Sequence, residues 1–322
     1  MPDEANSGEP ITGDLIAKLE ARLGRLHARQ RLGLEADYEH HIFQRGRHIF
    51  HVENWYSIHG LIRATLKLSG LYWLGKSNAT RLTLKHNAIR ITDLPPSFEG
   101  YRVLHITDMH ADTNPRAMDR LIEIVTGLDY DLCVLTGDYR GLTYGPYGPA
   151  LEGMARVAKH LKAPVYGVLG NHDSVRMVPA LEEMGIRMLL NEAVTLTRED
   201  QRIHLAGIDD AHFFHADNIE KAAAEIPHDE VSILLSHTPE IYQQAAHSDF
   251  TVMLCGHTHG GQICLPGEIP ITLDSTMPRR LGRGAWSYHK MIGYTSVGAG
   301  TSIVEVRLNC PPEVTLHTLT RG

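Results

Sequence analysis

From residue 103 onward, short apolar runs alternate with longer segments in which apolar residues recur at helical spacing. Short apolar runs bounded by polar turns are typical of strands buried in a sheet. The pattern predicts consecutive β–α units, with strands at Val103–Thr107, Leu132–Thr136 and Val165–Leu169 and helices at Ala117–Leu128, Leu151–Leu161 and Val178–Met184. Repeated β–α units imply a mostly parallel sheet covered by helices, and therefore an α/β fold.

Further strands are predicted on both sides of these units. The segment Leu82–Ile91 precedes them and alternates loosely between apolar and polar residues. Later strands are predicted at Ala193–Thr197, Ile203–Ala206, Val231–Leu235, Thr251–Cys255, Tyr294–Val297 and Glu313–Thr318. A long loop rich in Pro, Gly and Arg runs from Leu265 to Ser287, and long loops in compact domains often carry function.

The N-terminal part of the chain predicts a separate helical extension. Apolar residues from Leu15 to Leu26 recur at helical spacing, with Thr12 as the predicted N-cap and Gly33 as the predicted helix end. A second, unusually apolar helix is predicted at Val52–Leu74. We expect residues 1–13 to be disordered, residues 1–80 to form the extension, and residues 81–322 to form the α/β domain.

The apolar helix at Val52–Leu74 has three possible partners. Arg63 and Lys67 interrupt it, so it is too charged to span a bilayer, and they lie four residues apart on one helical face. A basic, aromatic-rich helix can lie in a membrane interface, pack on the α/β domain or form a dimer. We therefore expect this helix to pack beside the functional edge of the domain, to contact a membrane peripherally or to form a dimer.

Composition narrows the classes of function. The 322 residues are 43% hydrophobic and 21% charged, which is typical of a globular protein. The net charge of −7 argues against general nucleic-acid binding. None of the four cysteines forms a C-x-x-C pair, and residues 1–10 lack the basic and apolar regions of a signal peptide. We therefore expect reduced thiols and a cytoplasmic location.

Residues that can bind metal ions follow five of the predicted strands. They are Asp108 and His110, Asp138, Asn171 with His172, His237, and His257 with His259. Taken singly, Asp108 could cap a helix, Asp138 could be a turn residue, and His237 could be a hydrogen-bonded core histidine. Taken together they predict a metal site, because sites in open α/β sheets form at the carboxyl ends of strands.

The kinds of donor in this set indicate which ions could bind. Carboxylate, imidazole and carboxamide groups without thiolate suit Mn, Fe or Zn. The donors are too numerous for one ion, so two ions that share one carboxylate are the simplest arrangement. Two ions about 3.5–4 Å apart form a clamp for in-line displacement at phosphorus.

The ordered motifs D-x-H, G-D, G-N-H-D, H and G-H-T-H, with their spacing over Val103–Gln262, resemble the calcineurin-like metallophosphoesterase superfamily. The ending G-H-T-H-G-G-Q-I, followed by Leu265-Pro266-Gly267, is most similar to the bacterial branch of phosphodiesterases related to YkuE. The resemblance extends from about Leu82 to the C-terminus. It implies a four-layer α/β/β/α sandwich with a dinuclear site at one edge.

The resemblance also implies roles for individual residues. One metal would bind Asp108, His110 and His259, and the other Asn171, His237 and His257, with Asp138 bridging the two ions. A metal-bridging hydroxide would attack phosphorus in line, while His172, which binds no metal, would stabilise the transition state or protonate the leaving oxygen. Arg140 stands where many relatives have an apolar residue, and it could contact a phosphate oxygen or form a structural ion pair.

These features predict a metal-dependent phosphoesterase with a small-molecule substrate, acting on phosphodiester or pyrophosphate bonds. The branch suggests nucleotide-like or lipid-like substrates, and a UDP-diacylglucosamine-type pyrophosphate hydrolase is the alternative. A non-catalytic metal-binding scaffold belongs to a different class of function. Such proteins usually lose ligands or the catalytic histidine, whereas every motif position is filled in this sequence.

Overall fold

The computed structural model describes residues 12–45, 52–162 and 164–322. For residues 40–45 and 52–59 it describes the backbone only. The strands are β1 Thr83–Ile91, β2 Arg102–Ile106, β3 Leu132–Leu135, β4 Val165–Gly167, β5 Ile186–Met188, β6 Glu192–Arg198, β7 Gln201–Gly207, β8 Ser232–Leu235, β9 Val252–Cys255, β10 Cys264–Leu265, β11 Ile269–Pro270, β12 Gly284–Tyr288, β13 Met291–Thr295 and β14 Glu313–Arg321. The helices are α1 Gly13–Leu23, α2 Arg25–Arg45, α3 Val52–Leu68, α4 Leu71–Asn78, α5 Pro115–Thr126, α6 Gly148–Ala158, α7 Val178–Glu183, α8 Ile219–Ala223 and α9 Tyr242–His247.

The long strands form two six-stranded sheets. The first sheet has the order β1-β14-β2-β3-β4-β5 and is parallel except between β14 and β2. The second has the order β12-β13-β9-β8-β7-β6 and is parallel from β13 to β7, with antiparallel strands at both edges. Strands β2, β3, β4, β8 and β9 are the ones followed by the predicted metal-binding residues.

The alternation of side chains explains why the two sheets are stacked. In β3, Leu132 and Val134 belong to the core between the sheets, whereas Cys133 and Leu135 face the helices on the outer side. Strands buried on both faces read as continuous apolar runs, which is the pattern that predicted them. Helices α5, α6 and α7 cover the first sheet, and α8 and α9 cover the second. The α/β/β/α sandwich is therefore confirmed.

The N-terminal helices share cores with the domain. Leu19 and Leu23 of α1 and Ala28 and Leu32 of α2 are buried in the core outside the first sheet. Leu66 of α3 packs on the segment Val304–Leu308. Packing of the extension on the domain is thus observed for the described residues. The boundary at residue 80 stays a prediction, as do membrane contact and dimerisation.

Several details of the predicted elements were wrong. The N-cap Thr12 accepts a hydrogen bond from the Leu15 amide as predicted, but α1 ends at Leu23 and is capped by Gly24, whose φ is 84°. Gly33 lies inside α2 rather than ending a helix. The predicted helix Val52–Leu74 is interrupted at Gly70, where φ is 74°. Strands β5 and β12 were not predicted. Most of residues 1–13, which were expected to be disordered, lie outside the residues that the structure describes.

Within the described ranges, no helix is both long enough and apolar enough to cross a membrane. The apolar surface of α3 and α4 is nevertheless only partly covered. Leu61, Leu68 and Trp73 are exposed by 66%, 91% and 62%.

Candidate metal centre

The turns after β2, β3, β4, β8 and β9 bring all the predicted residues to one edge of the two sheets. Five of these residues have a positive φ: Asp108 at 50°, His110 at 41°, Asp138 at 56°, His257 at 71° and His259 at 48°. Non-glycine residues adopt this conformation rarely, and such backbone strain concentrates at functional sites. The strained turns direct the side chains back towards the strand ends.

Asp108, His110 and His259 form the first group of donors. Their donor atoms all lie within 4.8 Å of one another. The Nε2 atoms of His110 and His259 are 3.0 Å apart, and His259 Nε2 is 3.3 Å from Asp108 Oδ1. His110 Nδ1 is 2.7 Å from the Arg140 carbonyl, so we assign its proton to Nδ1 and its lone pair to Nε2.

One atom of this group has no hydrogen-bond partner. Asp108 is fully buried, and its Oδ2 accepts hydrogen bonds from the Thr107 hydroxyl and the His257 amide, at 2.9 and 3.0 Å. Its Oδ1 is buried and unpaired. Leaving a buried carboxylate oxygen unpaired is costly, and the need to bind an ion is one physical reason to find one. The donors therefore fit a divalent cation at this position.

Asn171, His237 and His257 form the second group. Asn171 Oδ1 lies 3.0 Å from His237 Nε2 and 2.9 Å from His257 Nδ1. The other ring nitrogens of the two histidines are held by carbonyls, His237 Nδ1 by Thr136 at 2.7 Å and His257 Nε2 by Asp274 at 2.8 Å. Because those nitrogens donate to carbonyls, His237 Nε2 and His257 Nδ1 are the ring atoms that face Asn171 Oδ1. These three atoms fit a cation between them once both facing ring nitrogens are unprotonated.

Asp138 lies between the two groups. Its Oδ2 is 3.2 Å from His237 Nε2 and 3.9 Å from His110 Nε2, so it is near a ring nitrogen of each group. Burial raises its pKa, but His237, His172 and His110 together hold the pKa well below the ordinary value. In return, although burial lowers it, the neighbouring Asp138 and Asp108 raise the pKa of His237 to about 10. In the absence of metal, a proton on His237 thus supplies positive charge to the site.

His172 lies beside Asp138 but outside both groups. Its Nε2 is 3.9 Å from Asp138 Oδ2, its Nδ1 is 2.9 Å from the Thr143 hydroxyl, and 17% of its side chain is exposed. Burial, only partly offset by Asp138, lowers its pKa to about 4. It is therefore a neutral, partly accessible imidazole at the mouth of the site.

Arg140 is buried and donates to backbone carbonyls. Its guanidinium contacts the carbonyl of His172, that of Thr143 at 2.7 Å and that of Gly145 at 3.0 Å. This arrangement ties the loop after β3 to the loop that carries His172. The structure favours a structural role, although by carbonyl contacts rather than the ion pair considered as the alternative, and a direct phosphate contact stays a prediction.

Sequence reasoning missed residues that support the donors. Arg307 is fully buried and donates to the His259 carbonyl at 3.0 Å, and its Nη2 is 3.0 Å from His259 Nδ1. His212 lies with its ring centroid 4.1 Å from that of His257 and pairs with Glu240 at 2.7 Å. His212, His257 and the Asp274 carboxylate form a third, more exposed group of donors. No motif precedes Arg307 or His212, because their positions depend on contacts between distant segments.

A comparison with known families and proteins agrees with this geometry. The model of the calcineurin-like phosphoesterase family matches residues 101–261. The chain is 29% identical to the uncharacterized metallophosphoesterase YkoQ of Bacillus subtilis (strain 168), over 77% of this chain and 94% of YkoQ. It is 26% identical to the phosphodiesterase YaeI of Escherichia coli (strain K12), over 68% of this chain and 82% of YaeI. It is 23% identical to the UDP-2,3-diacylglucosamine pyrophosphatase LpxG of Chlamydia trachomatis (serovar D), over 72% of this chain and 90% of LpxG.

Proposed function

Because the chain belongs to the calcineurin-like phosphoesterase family and is thus a metal-dependent phosphoester hydrolase, we propose that it cleaves phosphodiester or pyrophosphate bonds with two divalent metal ions. The observation that carries this proposal is the pair of donor groups on either side of Asp138. A pair of ions supplies Lewis acidity and activates water when bound, and Mn, Fe or Zn suits these donors.

We assign Asp108, His110 and His259 to one ion and Asn171, His237 and His257 to the other. Asp138 is the shared ligand, since its Oδ2 faces a ring nitrogen of each group. The unpaired Asp108 Oδ1 and the two ring nitrogens that face Asn171 Oδ1 support this division. Carbonyls of Arg140, Thr136 and Asp274 orient His110, His237 and His257, as outer partners of metal ligands commonly do.

His172 acts on the substrate rather than on a metal. The Thr143 hydroxyl donates to Nδ1 in the tautomer that we assign, which leaves the N–H on Nε2 facing the site. A neutral imidazole in this position donates a hydrogen bond to a phosphoryl oxygen, whereas transfer of a proton to the leaving oxygen requires the imidazolium form. Because the pKa of His172 is about 4, loss of activity at acid pH would not arise from its protonation until the pH is well below 6.

A lipid-linked pyrophosphate is the second candidate substrate. LpxG, by its name, acts on such a molecule, and this chain exposes apolar residues on α3 and α4. These helices pack on Val304–Leu308, the segment from which Arg307 contacts His259. A lipid chain of a substrate held at the metals could therefore reach this surface.

A metal-reconstituted screen tests the proposal. Protein stripped with a chelator is reloaded with Mn, Fe or Zn and assayed on bis-(p-nitrophenyl) phosphate, a phosphomonoester, cyclic nucleotides and a UDP-linked lipid. We expect metal-dependent turnover of the diester or of the pyrophosphate. Protein that binds two ions per chain and turns over none of these substrates would instead be a metal-binding scaffold.

A further inference from the structure

A buried cluster of charged residues joins helix α2 to the loop after β4. Arg31 of α2 is fully buried, and its Nη2 donates to the Asp173 carbonyl at 3.0 Å. Its Nη1 is 3.0 Å from Glu35 Oε1, one helical turn further along α2. The Glu35 carboxylate in turn accepts hydrogen bonds from the Ser174 hydroxyl at 2.5 Å and the Val175 amide at 2.7 Å. Helix α2 thus holds the three residues that directly follow His172.

The opposite side of the same loop is held by the turn after β3. The Asp173 carboxylate accepts hydrogen bonds from the amides of Asp138, Tyr139 and Gly170, at 2.7 to 2.8 Å. The loop that carries Asn171 and His172 is therefore clamped between two elements. One of these elements is the turn that bears Asp138, and the other is helix α2.

Helix α2 also reaches the second sheet. Asp209, in the loop after β7, lies 2.8 Å from His27 Nε2 and 3.3 Å from Arg31 Nε. The Arg31 guanidinium also lies 3.5 Å from the ring centroid of Phe214. Since β4 belongs to the first sheet and β7 to the second, Arg31 connects both sheets beside the metal centre.

The chemistry of the cluster indicates that it positions the loop after β4 rather than stabilises the fold. A buried ion pair often stabilises a fold no more than apolar residues of the same volume, because both charges lose their hydration. What the pair does provide is a set of directional hydrogen bonds to one loop. Helix α2 lies outside residues 101–261, which match the family model.

We propose that Arg31 and Glu35 are positioning residues of the active site, which set the places of Asn171 and His172 through the backbone of Asp173–Val175. The kinetic part of this inference rests on the proposed function, whereas its structural part does not. The helical extension would then be a required part of the catalytic unit. Misplacing a reacting group by about 1 Å can cost about 10²-fold in rate.

The test compares three variants with a matched control. Arg31→Met/Glu35→Met replaces the pair by apolar side chains of similar length, and Glu35→Met removes the acceptor for Ser174 and Val175 together with the partner of Arg31. Glu35→Gln keeps one acceptor oxygen for the Val175 amide, and its own N–H can donate to the Ser174 hydroxyl oxygen. Arg29→Met is the control, because Arg29 lies on the same helix and pairs with Glu20 at 2.5 Å, yet its side chain is 59% exposed and contacts no part of the loop.

We expect kcat per metal-loaded chain to fall about 10- to 100-fold in the double variant and in Glu35→Met, with KM changed less than threefold. Arg29→Met should stay within about threefold of the natural protein in kcat, because its ion pair is exposed. Glu35→Gln keeps an acceptor for the Val175 amide and should therefore retain more kcat than Glu35→Met. Hydrogen–deuterium exchange of residues 170–177 should be faster in the two Met variants alone. Thermal unfolding measured alongside separates misplacement from loss of folded protein.

Unchanged exchange and kcat in both Met variants would overturn the inference. So would a loss in kcat that only follows a lowered melting temperature and disappears when folded, metal-loaded chains are counted. If the double variant does not fold, the comparison of Glu35→Met with Glu35→Gln in kcat and in hydrogen–deuterium exchange tests the inference. If the natural protein turns over no phosphoester, the proposed function fails, and the exchange data still test whether α2 holds the loop.

Discussion

The close contact between Gly170 and the turn after β3 makes a steric prediction about the metal centre. A Cβ atom at Gly170 would lie 2.2 Å from Asp138 Oδ1 and 2.5 Å from the Asp138 amide nitrogen, whereas ordinary contacts begin at 3.4 Å. The backbone nitrogen cannot move aside as a flexible side chain would. Gly170→Ala must therefore shift Asp138, or the loop with Asn171, by about 1 Å.

A shift of this size corresponds to a loss of about 10²-fold in kcat for groups that position reacting atoms. The displaced carboxylate should also reduce the number of ions bound per chain. The assay is steady-state turnover of bis-(p-nitrophenyl) phosphate together with elemental analysis of the same sample. Gly33→Ala is the matched control, because nothing lies within 4 Å of its added Cβ and Gly33 is inside α2. That variant should be more stable by about 1 kcal/mol and equally active.

Two results would refute the reasoning about Gly170. Gly170→Ala with natural kcat and two ions per chain would mean that the position of Asp138 does not govern the site. An equal loss of activity in Gly33→Ala would mean that the effect is not local.

Three further predictions concern single residues. Asp138→Asn should lose metal and at least about 10²-fold in activity, since it removes the charge that lies between the two groups, and unchanged occupancy of both ions would exclude bridging. His172→Ala should keep both ions and lose roughly 10²- to 10⁴-fold in turnover, and the loss should be smaller for a good leaving group if His172 acts as the acid; loss of metal would make His172 a ligand. Burial lowers the pKa of His105 to about 3. Below about pH 6.5 this imidazole is therefore protonated in the unfolded chain but stays neutral in the folded chain. The free energy of unfolding should therefore decrease as the pH is lowered. In urea unfolding of metal-free protein, His105→Gln should make the decrease between pH 7.5 and 5.5 smaller by about 1.4 kcal/mol. The same pH dependence in both proteins would contradict this.

The sequence predicted the strands that build the centre because their signal is local. The run Leu132–Leu135 is apolar at every position, and Thr136, a glycine and an aspartate follow it. The same holds for Val252–Cys255 with Gly256 and His257. Since parallel strands end at one edge, such local signals were sufficient to bring the predicted donors together.

The parts that escaped prediction depend on contacts between distant residues. Arg31 and Glu35 have the sequence character of a solvated helix face, yet both are buried by segments more than 130 residues away. Arg307 reaches His259 across 48 residues, and no local pattern marks it. Strand β5 has only three residues, too few for a periodicity to be recognised. The role of Arg140 was left open because its acceptors are backbone carbonyls, which a sequence motif does not specify.

The claim that two ions share Asp138 is tested most directly by anomalous diffraction from crystals of the manganese- or zinc-loaded protein. The account predicts two anomalous peaks about 3.5–4 Å apart. One should lie among Asp108, His110 and His259, the other among Asn171, His237 and His257, with Asp138 between them and His172 bound to neither. A single peak, or a second peak held by His212 and the Asp274 carboxylate, would contradict the account.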